Sequence, residues 1–334
     1  MSANEILTLL MSKQAIGVFE KQVEQRLQGR SYRIVDLETS PDASGDYGVD
    51  IAFLSRDVTG NSGKTVLAPS LERFYEIIRG SSNLKWFHTH AAGVDRPIYR
   101  EMMNKGVAVT TSSGANAGPV AQMAVTGLLA LARRLPELMD SQRRQAWEPL
   151  LGQRAPRDLN TQTVMVVGWG PIGQDVARLC KCLGMRVIAV RREDTATQGA
   201  DAVITYAQIE QHLPSADWVV LACPLNDTTR CMMNASTFAL LPEGARLVNV
   251  SRGDVIVEDD LVTAVRSGKV GGAFLDVVVK EPLGPDSPLW NLPNVIISPH
   301  TAGHTQGHYA AVGEIYLENL TRFLGSTALR NRVT

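Results

Sequence analysis

Arg252 and Glu281 follow the apolar, strand-like runs Arg246–Val250 and Gly272–Val279, and His300 ends a third, Val295–His300. Together they supply what reduction of a carbonyl beside a carboxylate requires. The oxygen that gains negative charge needs a proton, and histidine titrates nearest neutrality. A carboxylate beside that histidine would stabilise the imidazolium. A planar, always-charged guanidinium can hold a substrate's carboxylate and carbonyl. Singly, Arg252 reads as a surface cation, Glu281 as a loop acid and His300 as a strand-end cap. On three consecutive strand ends they become a candidate site, because ligands of parallel sheets bind beyond the carboxyl ends of the strands.

The element that organises these strands is Thr163-Val-Met-Val-Val-Gly168-Trp-Gly170-Pro-Ile-Gly173. A β-branched run meets a glycine turn, and a helix-period pattern (Ile172, Val176, Leu179, Leu183) begins at once. Gly168 permits the turn, Gly170 lets backbone approach a pyrophosphate, and Gly173 lets helix and strand pack closely. The helix start at Pro171 and Ile172 offers its dipole and free N–H groups to phosphate. A second strand, Met185–Val190, follows at the expected distance. Further strands are expected at Trp218–Cys223, Arg246–Val250, Gly272–Val279 and Val295–His300, six in all. Helices are expected over Tyr206–His212, Thr237–Leu241 and Glu258–Ser267.

Before residue 115 the chain alternates in the same way. Residues 6–30 read as helix, followed by strands at Tyr32–Asp36, Val49–Leu54, Leu84–His88 and Val107–Thr111. Helices are expected over Leu71–Ile78 and Tyr99–Lys105, and residues 57–68 read as a loop. His90–Asp95 is a small-residue turn, and Ser112–Pro119 a turn cluster and hinge. Val120–Leu135 is a nearly all-apolar helix, which argues burial. The segment 136–160, with exposed-looking Trp147 and Leu150, suits an arm against a second subunit, with a surface loop as the alternative. A last helix over Gly307–Leu324 is not needed by the fingerprint sheet and is expected to return to the first domain.

The chain has 334 residues, 44% apolar and 20% charged, with a formal net charge of −1. That suits a soluble protein of about two domains with no basic face for nucleic acid or membrane. No apolar run approaches a membrane span, and no secretory signal is evident, so a cytoplasmic location is expected. Cys180, Cys182, Cys223 and Cys231 are too few and clustered for a disulfide framework and read as buried thiols.

These motifs identify a resemblance. Val167–Gly173, Val248-Asn-Val-Ser-Arg-Gly-Asp254, Phe274-Leu-Asp-Val-Val-Val-Lys-Glu-Pro-Leu283 and Pro299-His-Thr-Ala-Gly303 are similar, in order and separation, to the D-isomer-specific 2-hydroxyacid dehydrogenases. The resemblance implies an α/β fold of two doubly wound parallel-sheet domains. A Rossmann dinucleotide-binding domain, 115–303, would be inserted in a discontinuous flavodoxin-like catalytic domain, 1–114 and 304–334. It implies catalytic roles for Arg252, Glu281 and His300, with Arg252 and His300 also contacting substrate. Backbone N–H groups of Ala92, Gly93 and Val94 would hold the substrate carboxylate. The coenzyme would meet Gly168, Gly170, Pro171, Ile172 and Gly173, then Pro224, Val250, Ser251, Arg252, Asp276, His300 and Gly303, with Asp276 on the nicotinamide amide. Reduction of a small 2-oxo acid to the D-hydroxy acid by a homodimer is the implied activity, with glyoxylate and hydroxypyruvate as default substrates.

Two departures from the family pattern matter. Gln122 replaces a frequent glutamate of the interdomain helix. Arg191-Arg192 stands where NAD-using members carry an acid for the ribose 2′-hydroxyl, so two guanidinium groups could bind a 2′-phosphate. NADP(H) is therefore the expected coenzyme, with NAD(H) as the alternative. The rival of another class is a non-enzymatic nucleotide-sensing scaffold like the C-terminal binding protein corepressors. The chain stops at Thr334, soon after its last helix, which favours the enzyme. Formate dehydrogenases place Gln where Glu281 stands, and phosphite dehydrogenases need a lysine that Ala91–Asp95 lacks. His88-Thr-His90 resembles a metal-binding strand end, but further ligands do not follow, and no metal is expected.

Overall fold

The computed structural model describes residues 6–60, 62, 66–94, 96–193, 195 and 197–333. Asp95, part of the expected small-residue turn, lies outside them. The chain divides into two compact units, one of residues 1–116 with 305–334 and the other of residues 117–304.

The first unit runs β1 (Leu7–Leu10), α1 (Lys13–Arg26), β2 (Tyr32–Val35), β3 (Ile51–Leu54), α2 (Arg56–Thr59), α3 (Pro69–Arg79), β4 (Trp86–Thr89), α4 (Pro97–Asn104) and β5 (Ala108–Thr111). Its five strands are all parallel, in the order β2-β1-β3-β4-β5. Residues 6–30 are thus not one helix. Leu7–Leu10 is a fully buried central strand. A short apolar run carries no period to separate strand from helix, and a sheet covered on both faces favours such runs. Ser12 then starts α1 by accepting from Ala15 N at 3.0 Å. A helical turn, α2, also replaces the start of the expected 57–68 loop. Proline at the first helical positions of α3 and α4 sets their starts, since its missing N–H costs nothing there.

The second unit holds α5 (Ala117–Ala132), α6 (Leu135–Arg143), β6 (Thr163–Val167), α7 (Pro171–Cys182), β7 (Arg186–Arg191), β8 (Ala202–Thr205), α8 (Ile209–His212) and β9 (Trp218–Leu221). It continues with α9 (Ala235–Leu240), β10 (Ala245–Asn249), α10 (Glu258–Arg266), β11 (Val270–Leu275) and β12 (Val295–Ile297). The last helix, α11 (His308–Leu324), belongs to the first unit.

Seven parallel strands lie in the order β12-β11-β10-β9-β6-β7-β8, one more than the six expected. The missed strand, β8, is a four-residue edge strand paired only with β7, too short to show alternation. Several bounds also differ. α5 begins inside the expected turn cluster and ends at Ala132, because Arg134 adopts left-handed φ 53° and breaks the helix before α6. β11 stops at Leu275, so Val277–Val279 leave the sheet despite their β-branched side chains. β12 ends at Ile297, so His300 stands beyond the strand.

Buried apolar side chains cover both faces of each sheet. In the 136–160 segment Trp147 is 97% exposed and Leu151 71%, whereas Leu150 is half-buried. Cys180 and Cys223 are buried, with thiols pushed up to about 12 and about 11 by desolvation; Cys182 and Cys231, read as buried, are exposed. No helix among the described residues is long and apolar enough to cross a membrane.

Candidate active site

In the second unit, the chain starts at β6 and winds first to β7 and β8, then out through β9 to β12, so the order reverses between β6 and β9. The turn after β6 points to that switch, where ligands of such sheets bind. Gly168 has φ +99°, and a Cβ there would lie 2.7 Å from the Ala222 backbone. A Cβ on Gly173 would lie 1.9 Å from Gly168 O, so the start of α7 sits against the turn.

Gly170 is different. Its backbone is ordinary extended chain, φ −78° and ψ −175°, and a Cβ there would meet nothing within 4 Å. Nothing among the described residues demands glycine at that position, whereas a pyrophosphate lying on the backbone would. Pro171 begins the 12-residue α7, whose opening turn, with Ile172, carries the positive end of the helix dipole. This turn therefore fits a dinucleotide.

The other expected coenzyme residues end or follow strands of the same sheet. Arg191 is the last residue of β7, half-buried, with Nη1 3.5 Å from Thr195 O; Arg192 is exposed. Pro224 follows β9, and its carbonyl accepts from Thr229 Oγ1 at 2.7 Å. Val250 and Ser251 are buried beyond β10, and Gly303 is half-buried after Ala302.

The loop carrying Arg252 is built around Asn249, a fully buried residue that reading by residue type passed over. Its Oδ1 accepts from Ser251 N and Ser251 Oγ, each at 3.0 Å, and its Nδ2 donates to Arg252 O at 3.0 Å. An amide in an otherwise apolar strand end was the available signal, since buried polar groups are there to be bonded. Arg252 Nη1 donates to Ser251 O at 2.7 Å. At Gly253 a Cβ would lie 2.0 Å from Val278 C, which presses this loop onto the backbone leading to Glu281.

Glu281 Oε1 accepts from Val278 N at 3.3 Å, and Oε2 lies 2.8 Å from His300 Nδ1. His300 has φ +51°, in the left-handed region that a non-glycine residue occupies only when its surroundings fix it. The fixing group is buried Asp276. Its Oδ1 accepts from Ser298 Oγ at 2.6 Å, Thr301 N at 2.9 Å and Ala302 N at 3.1 Å, while its carbonyl accepts from His300 N at 2.8 Å. Ser298 is thus a further residue of the site. The structure places Glu281 against His300 and seats the Arg252 loop on the segment just before Glu281.

With Nδ1 directed at a carboxylate, Nε2 is the ring nitrogen left for a substrate oxygen, and protonated His300 would present an N–H there. The side chains of His300 and Glu281 are 50% and 33% exposed, open enough for a solute to reach.

In the first unit, Ala92, Gly93 and Val94 follow β4. Among the described residues their N–H groups meet no acceptor of the chain, so they could hold an anion. Beside them, His88 is a core residue. Trp86 Nε1 donates to Thr110 Oγ1 at 2.8 Å, and that hydroxyl lies 2.7 Å from His88 Nδ1. His88 Nε2 lies 3.0 Å from Ser112 Oγ, which donates to Thr89 O at 3.0 Å. The proton order that satisfies every link has Nδ1 accepting and Nε2 donating, a neutral ring. Burial pushes His88 down to about 3, and His90, bonded to Thr59 Oγ1 at 2.8 Å, likewise to about 3, there with help from the Arg56 charge. Among the described residues no group of three or more His, Cys, Asp or Glu could hold a metal ion.

Comparison with known proteins agrees with this fold and turn. Residues 125–302 match the D-isomer specific 2-hydroxyacid dehydrogenase, NAD binding domain family, and the chain belongs to the D-isomer specific 2-hydroxyacid dehydrogenases. It is 32% identical over 255 residues to a glyoxylate reductase of Korarchaeum cryptofilum, covering 74% of this chain and 75% of that protein. It is 30% identical over 260 residues to D-3-phosphoglycerate dehydrogenase of Archaeoglobus fulgidus, covering 77% of this chain but spanning only 49% of that relative. The crystal structure of a D-isomer specific 2-hydroxyacid dehydrogenase from Xanthobacter autotrophicus, in complex with NADPH and MES, superposes with a TM-score of 0.74 at 28% identity, covering 98% of each chain.

Proposed function

We propose that the protein reduces a small 2-oxo acid to the D-2-hydroxy acid at the expense of NADPH. The observation that carries the reading is the 2.8 Å contact between Glu281 and His300 beside the Arg252 loop, on the sheet that bears the glycine turn. Bound at that turn, the coenzyme supplies the hydride. Arg252 holds the substrate carboxylate and carbonyl by charge-assisted hydrogen bonds. His300 Nε2 gives a proton to the carbonyl oxygen as charge develops there, and Glu281 steadies the imidazolium through Nδ1. Asp276 keeps the His300 turn in its strained conformation, and its Oδ2, bonded only to Ala302 N at 3.2 Å among the described residues, retains capacity for the nicotinamide amide. In the first unit, the substrate domain, the backbone N–H groups of Ala92, Gly93 and Val94 are the proposed anion donors. Arg191 and Arg192 select NADP(H) over NAD(H), a reading supported by the NADPH bound to the Xanthobacter relative.

Glyoxylate and hydroxypyruvate are the proposed substrates, supported by the glyoxylate reductase relative. A homodimer joined through the 136–160 segment is proposed from its exposed Trp147 and Leu151. The test is NADPH oxidation by purified protein with glyoxylate, hydroxypyruvate, pyruvate and bulkier 2-oxo acids. Oxidation with at least one supports the reading; none with any, with either coenzyme, rejects it in favour of a nucleotide-binding scaffold.

A further inference from the structure

We propose that Trp169 positions the coenzyme-selecting loop by tying it to the glycine turn. Trp169 is the second residue of Gly168-Trp-Gly-Pro-Ile-Gly173, a position whose residue type the glycine pattern does not specify. Its ring is half-buried, packed on the apolar cluster that also holds Val176 and Ala177 of α7. Its Nε1–H donates to Thr197 Oγ1 at 3.0 Å. Thr197 lies between β7 and β8, in the segment that opens with Arg191 and Arg192.

That segment is fixed at both ends. Arg191 opposes Thr205 in the β7–β8 ladder. Asp201 accepts from Val187 N and from Lys181 Nζ, each at 2.7 Å. In between, the Trp169–Thr197 bond is, among the described residues, the one side-chain hydrogen bond joining the segment to the glycine turn. One indole thus couples the place where the pyrophosphate would lie to the place where a ribose 2′-phosphate would lie.

The consequence falls on discrimination. A loop held in its binding conformation loses less freedom when ligand arrives. NADPH draws on the placement of Arg191 and Arg192 for its 2′-phosphate, whereas NADH has no phosphate there. Releasing the loop should therefore weaken NADPH more than NADH. This inference rests on the NADP reading of Arg191 and Arg192.

The test measures kcat/KM for NADPH and NADH in wild type, Trp169→Phe, Thr197→Val and the double variant, with Arg191→Asp alongside. Trp169→Phe keeps an aromatic ring but loses the donor and part of the packing; Thr197→Val keeps the shape and loses the acceptor, so it isolates the bond. Each single variant should lower the NADPH-to-NADH ratio about three- to tenfold, the worth of one hydrogen bond. The double variant should fall no further than the stronger single one, because both remove the same bond. Should Trp169→Phe not fold, Thr197→Val carries the test alone. A ratio that collapses in Arg191→Asp but stays at the wild-type value in the Trp169 and Thr197 variants overturns the tether and leaves the NADP reading standing. Equal losses for both coenzymes overturn it too, since a purely structural role leaves the ratio intact. A wild type without NADPH preference overturns both.

Discussion

Acid should destabilise the first unit through His88, and replacing that residue should flatten the response. The ring is fully buried in a chain of hydrogen bonds from Trp86 through Thr110 to Nδ1 and from Nε2 through Ser112 to Thr89 O. A second proton would leave the Thr110 hydroxyl facing a donor. Burial accordingly holds His88 at about 3 instead of its ordinary 6.5. Between those values the unfolded chain binds the proton and the folded chain does not. The stabilisation is therefore complete above pH 6.5 and is lost progressively as pH falls toward 3. Each such histidine adds about 1 kcal/mol of lost stability per pH unit in that window, or about 2–4 °C of melting temperature for a unit of roughly 150 residues. His88→Gln retains one acceptor and one donor but does not titrate. Its melting temperature, followed by fluorescence from pH 7 to 4.5, should start lower and decline less steeply than wild type by about that slope. Parallel profiles for the two proteins would refute the buried neutral ring.

Three further outcomes follow from the site. Arg191→Asp should erase or invert an NADPH preference of at least about tenfold in kcat/KM at low salt, since a charge-assisted hydrogen bond to phosphate contributes ~1.5–3 kcal/mol and exposure favours the lower end; steady-state kinetics with both coenzymes check this. Glu281→Gln should lower kcat by about tenfold or more with little change in KM, because the group bonded to His300 Nδ1 loses its charge, and a wild-type kcat removes Glu281 from proton transfer. Arg252→Ala should raise KM and lower kcat together, by about 100-fold or more in kcat/KM, as the cation serves bound substrate and transition state alike.

The glycine turn and the strand-end residues were legible because each is defined by type and spacing. A β-branched run stopping at Gly168, and a helix period starting at Ile172, need no tertiary contact to be recognised. Leu7–Leu10 and Ala202–Thr205 were not, since four residues are too few to show a period and only the neighbouring strands make them strands. Val277–Val279 misled in the other direction. Local propensity favours the sheet, but Gly253 presses against the backbone at Val278 and the chain turns away toward Glu281. Arg252, Glu281 and His300 could be read one by one, and the chemistry asks for a carboxylate beside the histidine; the backbone geometry that makes the contact between the last two could not be read. It depends on the left-handed backbone at His300 and on Asp276 binding the Ser298–Ala302 turn, which no spacing rule contains. Asn249 and the Trp169–Thr197 bond escaped for the same reason, being defined by what they touch.

The most direct test of the proposed chemistry is the steady-state rate of NADPH oxidation with glyoxylate and with hydroxypyruvate, in wild type and His300→Ala. General acid catalysis by a positioned side chain is worth about 100- to 10,000-fold. With Arg252 still present to bind substrate, kcat should fall by at least about 100-fold while KM stays within about threefold. A His300→Ala protein that turns over either substrate at the wild-type kcat would contradict the assignment of His300 as proton donor.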